Sequence, residues 1–302
     1  MNLAAELAPL RQRIVDRLEK VLPKSEAPPE NLHAAMRHGA LVPGKCVRGC
    51  LVYASGQALG IDLERLDRLA CALELVHAYS LVHDDLPCMD DDDIRRGRPS
   101  CHAAYGEATA LLAGNALLLC AIIEVAGDEK SSEAQRSAGV ERLCEAAGSF
   151  GMVGGQQMDM ELENMMECQI DRLNEVYRLK TGCLFHVAVM LPTELVQVGQ
   201  EQRNALDAYG RKIGLAFQIR DDLEDMEQDA LLAGNGARPT YPILLGVEES
   251  RKRLSDLGAE ALEALDVFGD QADLLRSLGQ WLTAGSGNGS GARDTNSELR
   301  AT

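Results

Sequence analysis

The sequence predicts an all-α protein folded as one large helical bundle. Three observations predict it. Ala and Leu are abundant while only 4% of residues are aromatic, which favours helices over sheets. Pro and Gly cut the chain into segments of helical length, and apolar residues recur within them at three- and four-residue steps. No segment alternates with period two over any length, so sheets are not expected.

In order, the expected helices cover about 2–22, 29–40, 44–59, 63–86, 103–126, 131–150, 168–190, 200–228, 239–257 and 259–283. The first is amphipathic, carries mixed charges and lacks the apolar core of a signal peptide. Segment 63–86 places Leu66, Leu69, Ala70, Leu73, Val76, His77 and Leu81 on one face. Segment 200–228 does the same with Leu206, Tyr209, Ile213, Phe217 and Leu223. The uncharged apolar run Ala116 to Ile123 ends at Glu124 and is too short to cross a bilayer. Gly and Ser dominate 285–291, so residues 1–284 are read as one domain and 285–302 as a flexible polar tail.

With 302 residues, 46% of them apolar, the chain can bury a sizeable core. A net charge of -17 excludes nucleic-acid binding through a basic face. It leaves room for an anionic small molecule bridged to carboxylates by a divalent metal. Nine cysteines, an odd count with no Cys-x-x-Cys pair, predict a reduced, cytoplasmic protein.

Two acidic clusters stand out. The first is Asp84-Asp85-Leu86-Pro87-Cys88-Met89-Asp90-Asp91-Asp92-Asp93, followed by Arg95 and Arg96; the second is Asp221-Asp222-Leu223-Glu224-Asp225. Either alone reads as a solvated face or a helix cap. Both emerge from core-type helices, where dense carboxylates repel one another and call for a cation. Asp221 and Asp225 are i and i+4 on one helix face and can hold a hard cation through oxygen, leaving positions for water and phosphate, as Mg²⁺ prefers. Asp222 and Glu224 point elsewhere. Asp84 and Asp90 are six apart, so a bulge or break near Pro87 must bring them together. An EF-hand loop beginning at Asp92 fits poorly, because Ile94 falls where a ligand is needed.

Basic residues complete the pattern. Lys45 and Arg48 follow Gly44, Arg95 and Arg96 follow the first cluster, and Lys180-Thr181-Gly182 opens an apolar stretch. Singly these are surface charges. Together with the carboxylates they suit two diphosphates, one bridged by metal and one held directly by Arg and Lys.

These residues resemble the trans-isoprenyl diphosphate synthases of the polyprenyl synthetase family, and within them the bacterial farnesyl diphosphate synthases. Glu74 to His102 is similar to the family's first aspartate-rich motif, and Phe217 to Asp225 to its second. Gly154-Gly155-Gln156-Gln157-Met158-Asp159, Lys180-Thr181-Gly182 and Thr240-Tyr241-Pro242 also match, in the family's order, over about 36–245. The resemblance implies mostly antiparallel helices around a central cavity, a homodimer that does not span the membrane, and condensation of isopentenyl diphosphate with dimethylallyl or geranyl diphosphate. It implies Mg²⁺, three ions per site with Mn²⁺ as a substitute, on Asp84, Asp85, Asp90, Asp221, Asp222 and Asp225. Asp84, Asp85, Asp90, Lys180 and Asp221 would be catalytic. Arg95, Lys180, Thr181 and Gln218 would bind the allylic diphosphate, and Gly44, Lys45, Arg48, His77 and Arg96 isopentenyl diphosphate.

Tyr79 lies five residues before Asp84 and resembles the floor of a short product cavity, with Ser80 beside it; this implies a fifteen-carbon product. Some positions depart from the family pattern. Pro43, Cys46 and Gly49 replace Gly, Arg and Pro in the first basic motif, Arg220 stands where a small or polar residue is more usual, and Arg238 is the only cation in a shortened segment before Thr240. Rival readings are a geranyl or geranylgeranyl diphosphate synthase and a non-catalytic paralogue that binds diphosphates or a partner subunit.

Overall fold

The computed structural model describes residues 2–41, 44–162, 168–229 and 239–284; Pro43, Arg238 and the 285–302 tail lie outside them. The fold is all-α, and the described residues fall into two compact units.

The first unit comprises 2–53 and 62–140. Its helices are α1 (Leu3–Val21), α2 (Glu30–Ala40), the start of α3 (Val47–Ala58), α4 (Leu63–Asp84), α5 (Cys101–Tyr105), α6 (Glu107–Ala126) and the start of α7 (Glu133–Ala147). Helix α1 buries Leu7, Leu10, Ile14 and Leu18, a stripe at three- and four-residue spacing, and packs on α4. Helix α4 buries the expected Leu66, Leu69, Ala70, Leu73 and Val76, and packs on α6 and α2. Two short strands, Ile94–Arg95 and Arg98–Pro99, pair antiparallel just after the first acidic cluster. Their turn residues Arg96 and Gly97 both have positive φ (52° and 72°), as a two-residue hairpin requires. At two residues each, these strands are too short for any periodicity to announce.

Helix α6 is, by length and composition, apolar enough to cross a membrane, with mean hydropathy 2.0 over its most apolar window. The whole helix Glu107–Ala126 is longer than the run Ala116 to Ile123 considered from sequence, and a core helix passes the same test of length and composition. Its charged end is tied into the unit, however. Buried Glu124 accepts from Arg17 Nε at 2.6 Å and Nη2 at 3.0 Å, and from Arg68 at 3.4 Å. The opposite face exposes Leu111, Leu112, Leu119 and Ile123.

The second unit comprises 54–61 and 141–284. After the rest of α3 and α7 it contains α8 (Met152–Leu162), α9 (Ile170–Tyr177), a π-turn (Arg178–Gly182), α10 (Cys183–Met190), α11 (Gln200–Asp229), α12 (Tyr241–Leu245), α13 (Val247–Ala264) and α14 (Asp273–Thr283). Helix α11 packs on α10, α13 and α14. Its core combines Ala216, Ile219 and Leu223 with Leu162, Leu173, Val176, Tyr177, Tyr241, Leu254 and Leu257. Helix α8 is unexpected from sequence. The expected break at Gly258 is absent; α13 runs through it, and a side chain there would meet Thr283 Oγ1 at 2.9 Å, so this glycine serves close packing on α14. The chain breaks instead at Gly246 and Gly269, both at positive φ, as does the expected 103–126 helix at Gly106.

Candidate functional site

In the first unit, α4 ends where the carboxylates begin. The Asp85 N–H still donates to Leu81 O at 3.1 Å, but Pro87 cannot continue the helix. The chain folds back on itself: Met89 N–H donates to Leu86 O at 2.8 Å, and Asp91, at φ 53°, donates to the same oxygen at 3.2 Å. Asp90 N–H then donates to Asp84 O at 2.8 Å, and Asp92 N–H to Asp85 O at 3.2 Å. The break near Pro87 thus sets Asp90 beside Asp84. Asp84 is half-buried and Asp90 exposed.

Asp85 is different. It is only 2% exposed, and its Oδ1 accepts from Arg95 Nε at 2.9 Å and from Nη2. Arg95 Nη2 also donates to Asp92 Oδ2 at 2.9 Å. Burial pushes the Asp85 carboxyl up, and Arg95 pulls it back. The hairpin that carries Arg95 is held to α2, because His38 Nε2 lies 2.8 Å from Pro99 O and Arg98 Nη2 lies 3.3 Å from His38 Nδ1.

A small recess beside α4, about 20 Å³, is lined by Gly44, Cys46, Glu74, His77, Leu81 and Arg96, among others. It brings together three of the residues expected for isopentenyl diphosphate: Gly44, His77 and Arg96. Lys45 and Arg48 do not line it. Gly44 is pinned by Arg11, whose Nη2 donates to its carbonyl at 3.0 Å, and the Arg96 guanidinium lies so close that a side chain at 44 would collide with it. His77 is held neutral: burial first, then Arg48, Arg96 and Arg95, push its pKa well down. Glu74 was not singled out from sequence. It accepts the Gly49 N–H at 2.7 Å, and the visible signal is its place three residues before His77 on the same helix. Arg96 and Leu81 also wall a neighbouring small recess, about 20 Å³, with Asp85 and Arg95. Tyr79 is buried, its ring edge-on to His83 with centroids 5.0 Å apart. Ser80 Oγ donates to His77 O at 2.9 Å.

In the second unit, Lys180 sits on the π-turn and donates to buried Asp159 at 2.5 Å. Gly155 permits this pairing, since any side chain there would strike the Leu179–Lys180 backbone. Asp159 closes the Gly-Gly-Gln-Gln-Met-Asp run, which was the sequence signal for it. Thr181 Oγ1 donates to Gln218 Oε1 at 2.8 Å, and Gln218 Nε2 lies 3.4 Å from Asp222 Oδ1. Asp222 Oδ2 accepts the Tyr177 hydroxyl at 2.7 Å and the Tyr241 N–H at 3.0 Å. Thr181, Gln218 and Asp222 therefore form one network, and both oxygens of Asp222 already have protein donors. Sequence reasoning missed Tyr177 and the Tyr241 N–H.

Asp221 is 37% exposed at its side chain. Its carboxyl is pushed up to about 6 by burial, with Arg220 opposing and Asp225, Glu224 and Asp222 adding to the rise. Such crowding of carboxylates favours a bound cation. Among the described residues no three His, Cys, Asp or Glu side chains gather closely enough to hold a metal alone. Magnesium does not need such a cage; it takes one or two carboxylates, waters and substrate phosphates. Oxygen donors at Asp84 and Asp90, and at Asp221 and Asp225, fit that habit. Asp85 and Asp222, committed to Arg95 and to Tyr177 and Tyr241, fit it less well.

Residues 29–267 match the polyprenyl synthetase family. The chain is 43% identical over 249 residues to the farnesyl diphosphate synthase of Escherichia coli (strain K12), covering 78% of this chain and 82% of that one. It is 39% identical over 274 residues to that of Haemophilus influenzae, covering 88% and 92%. Among solved structures, an FPP/GFPP synthase from Zymomonas mobilis superposes with a TM-score of 0.87 at 36% identity, over 94% of this chain and 99% of that one. The folded-back aspartate cluster with its arginine hairpin, the lysine on a π-turn and the second aspartate cluster on α11 all fall inside the matched span, and the chain belongs to the polyprenyl synthetase family.

Proposed function

We propose that the chain condenses isopentenyl diphosphate with dimethylallyl or geranyl diphosphate to give farnesyl diphosphate and pyrophosphate. One observation carries this reading: the Asp90 N–H bond to Asp84 O, which folds the first cluster back just ahead of the hairpin bearing Arg95 and Arg96. Asp84 and Asp90 in the first unit, and Asp221 and Asp225 in the second, would offer carboxylate oxygens to Mg²⁺ bound with the allylic diphosphate. Three ions, replaceable by Mn²⁺, suit that number of carboxylates. When bound, Mg²⁺ would supply charge that neutralises the departing pyrophosphate.

The chain's own residues bind and orient. Lys180 and Thr181 hold the allylic diphosphate, with Gln218 positioned by Thr181. Arg96, the Gly44 backbone and neutral His77 receive isopentenyl diphosphate, assisted by Lys45 and Arg48. Arg95 keeps buried Asp85 ionised and in place. In the reaction the allylic C–O bond breaks, the alkene of isopentenyl diphosphate forms the new C–C bond to the allylic carbon, and a proton leaves to pyrophosphate. No Ser or Cys nucleophile takes part. Buried Tyr79 closes the product cavity at fifteen carbons.

The apolar face of α6 (Leu111, Leu112, Leu119, Ile123) fits a second copy of the chain, and a homodimer is the assembly we propose. Nine free cysteines fit a reducing, cytoplasmic setting. The whole chain incubated with isopentenyl diphosphate and five- or ten-carbon allylic diphosphates in Mg²⁺ is expected to give a fifteen-carbon diphosphate. No product from any starter overturns the proposal and leaves a non-catalytic diphosphate-binding paralogue. That alternative draws support from the protein contacts that occupy Asp85 and Asp222.

A further inference from the structure

Arg220 is a buried cation immediately before the second aspartate cluster, and only 7% of it is exposed. Its guanidinium carbon lies 5.0 Å from the Phe217 ring centroid and 5.6 Å from that of Trp281. Its Nη1 lies 3.3 Å from Trp281 O and 3.2 Å from Leu282 O. These carbonyls belong to the last turn of α14, where backbone oxygens lack partners within the helix and the helix dipole is negative. The rest of the guanidinium faces two carboxylates of α11. Nη2 is 3.7 Å from Asp221 Oδ1, and Nε is 3.7 Å from Glu224 Oε1. Both distances lie within ion-pair range and beyond hydrogen-bond length. Buried Nε has no hydrogen-bond partner among the described residues. One nitrogen of the fork, Nη1, is thus hydrogen-bonded to the α14 carbonyls, while Nη2 and Nε are only loosely engaged with Asp221 and Glu224.

We propose that Arg220 is a positioning residue that fastens the C-terminal end of α14 to the second aspartate cluster and couples the two. The inference rests on the reading that Asp221 helps hold a divalent cation and diphosphate. A cation at Asp221 competes with the guanidinium for the same carboxylate. The guanidinium then turns towards Glu224 and the α14 carbonyls, and the field at the Trp281 ring changes. Coupling of this kind is reciprocal, so the seating of the α14 end also sets the cation affinity at Asp221. Trp281 is the only tryptophan in the sequence, so its emission reports on this contact without added labels.

The test follows Trp281 emission while Mg²⁺ and inorganic pyrophosphate are added to the whole chain, with calorimetry on the same samples. The native chain is expected to bind and to shift its emission as it does so. Arg220→Gln is expected to bind with a Mg²⁺ half-saturation moved about fivefold or more and to lose the emission response. Arg220→Lys, which keeps the charge but not the planar fork, is expected to fall between them. Binding by the native chain with no emission change overturns the inference, and that measurement stands even if Arg220→Gln fails to fold. A folded Arg220→Gln chain with native half-saturation and native emission response overturns it as well. Calorimetry that detects no binding by the native chain removes the functional reading on which the inference rests.

Discussion

Asp222 is implied as a metal ligand by family resemblance, yet the structure gives both its oxygens to protein donors, and Asp222→Ala separates the two roles. The side chain is 6% exposed and accepts the Tyr177 hydroxyl at 2.7 Å and the Tyr241 N–H at 3.0 Å, with Gln218 at 3.4 Å contributing little. Hydrogen bonds to a charged acceptor contribute about 1.5–3 kcal/mol each. Two of them come to roughly 3–6 kcal/mol by the same measure. Burial also pushes the Asp222 carboxyl up, so part of that gain is offset by desolvation of the carboxylate. A net loss of about 3 kcal/mol is expected for Asp222→Ala, with two donors stranded. At about 2–4 °C per kcal/mol the thermal midpoint falls by roughly 6–12 °C. Asp222→Asn keeps one carbonyl acceptor and should lose about half as much. Thermal melts followed by far-UV circular dichroism in the absence of metal provide the assay. An Asp222→Ala chain that melts with the native one yet no longer binds Mg²⁺ would refute the structural role and make Asp222 a ligand.

Other predictions concern the remaining carboxylates and the product cavity. The folded Asp221 carboxyl is pushed from an ordinary 3.8 to about 6, so between those values the folded state binds more protons than the unfolded one. Its contribution makes the metal-free chain less stable as pH rises from about 4 to about 6, and Asp221→Asn should flatten that slope in urea titrations; an unchanged slope contradicts the shift. Arg95→Met strands the buried Asp85 carboxylate and should cost about 2 kcal/mol, less than a fully buried pair because Arg95 is one-third exposed; Asp85→Asn in the same chain should recover part of it in a double-mutant cycle. Tyr79→Ala should lengthen the product beyond fifteen carbons by chromatography, and an unchanged fifteen-carbon product counts against Tyr79 as the cavity floor.

Much of this was legible where chemistry and periodicity coincide. The α4 stripe of Leu66, Leu69, Ala70, Leu73 and Val76 is buried as its spacing demands, and so are Leu206, Tyr209 and Ile213 on α11. The need for a break near Pro87 followed from a six-residue separation that no straight helix brings together. Illegible features depend on partners distant in the chain. Gly258 read as a helix breaker, and the stretch holding Gly155 was given no helix, but each glycine sits inside a helix where a neighbouring segment leaves no room for a side chain. The Tyr241 N–H reaches Asp222 from 19 residues away and Arg220 reaches α14 from 61, and nothing periodic marks either. The commitment of Asp85 to Arg95 was hidden for another reason. An Asp beside an Asp looks like a ligand pair until burial and a hairpin choose one of them for an arginine.

Metal-assisted condensation is tested by following pyrophosphate released and isopentenyl diphosphate consumed in one reaction with geranyl diphosphate, with Mg²⁺ and with chelator. One pyrophosphate is expected for each isopentenyl diphosphate consumed in Mg²⁺, with neither released nor consumed in chelator. Turnover that survives chelation, or pyrophosphate released without consumption of isopentenyl diphosphate, would contradict it.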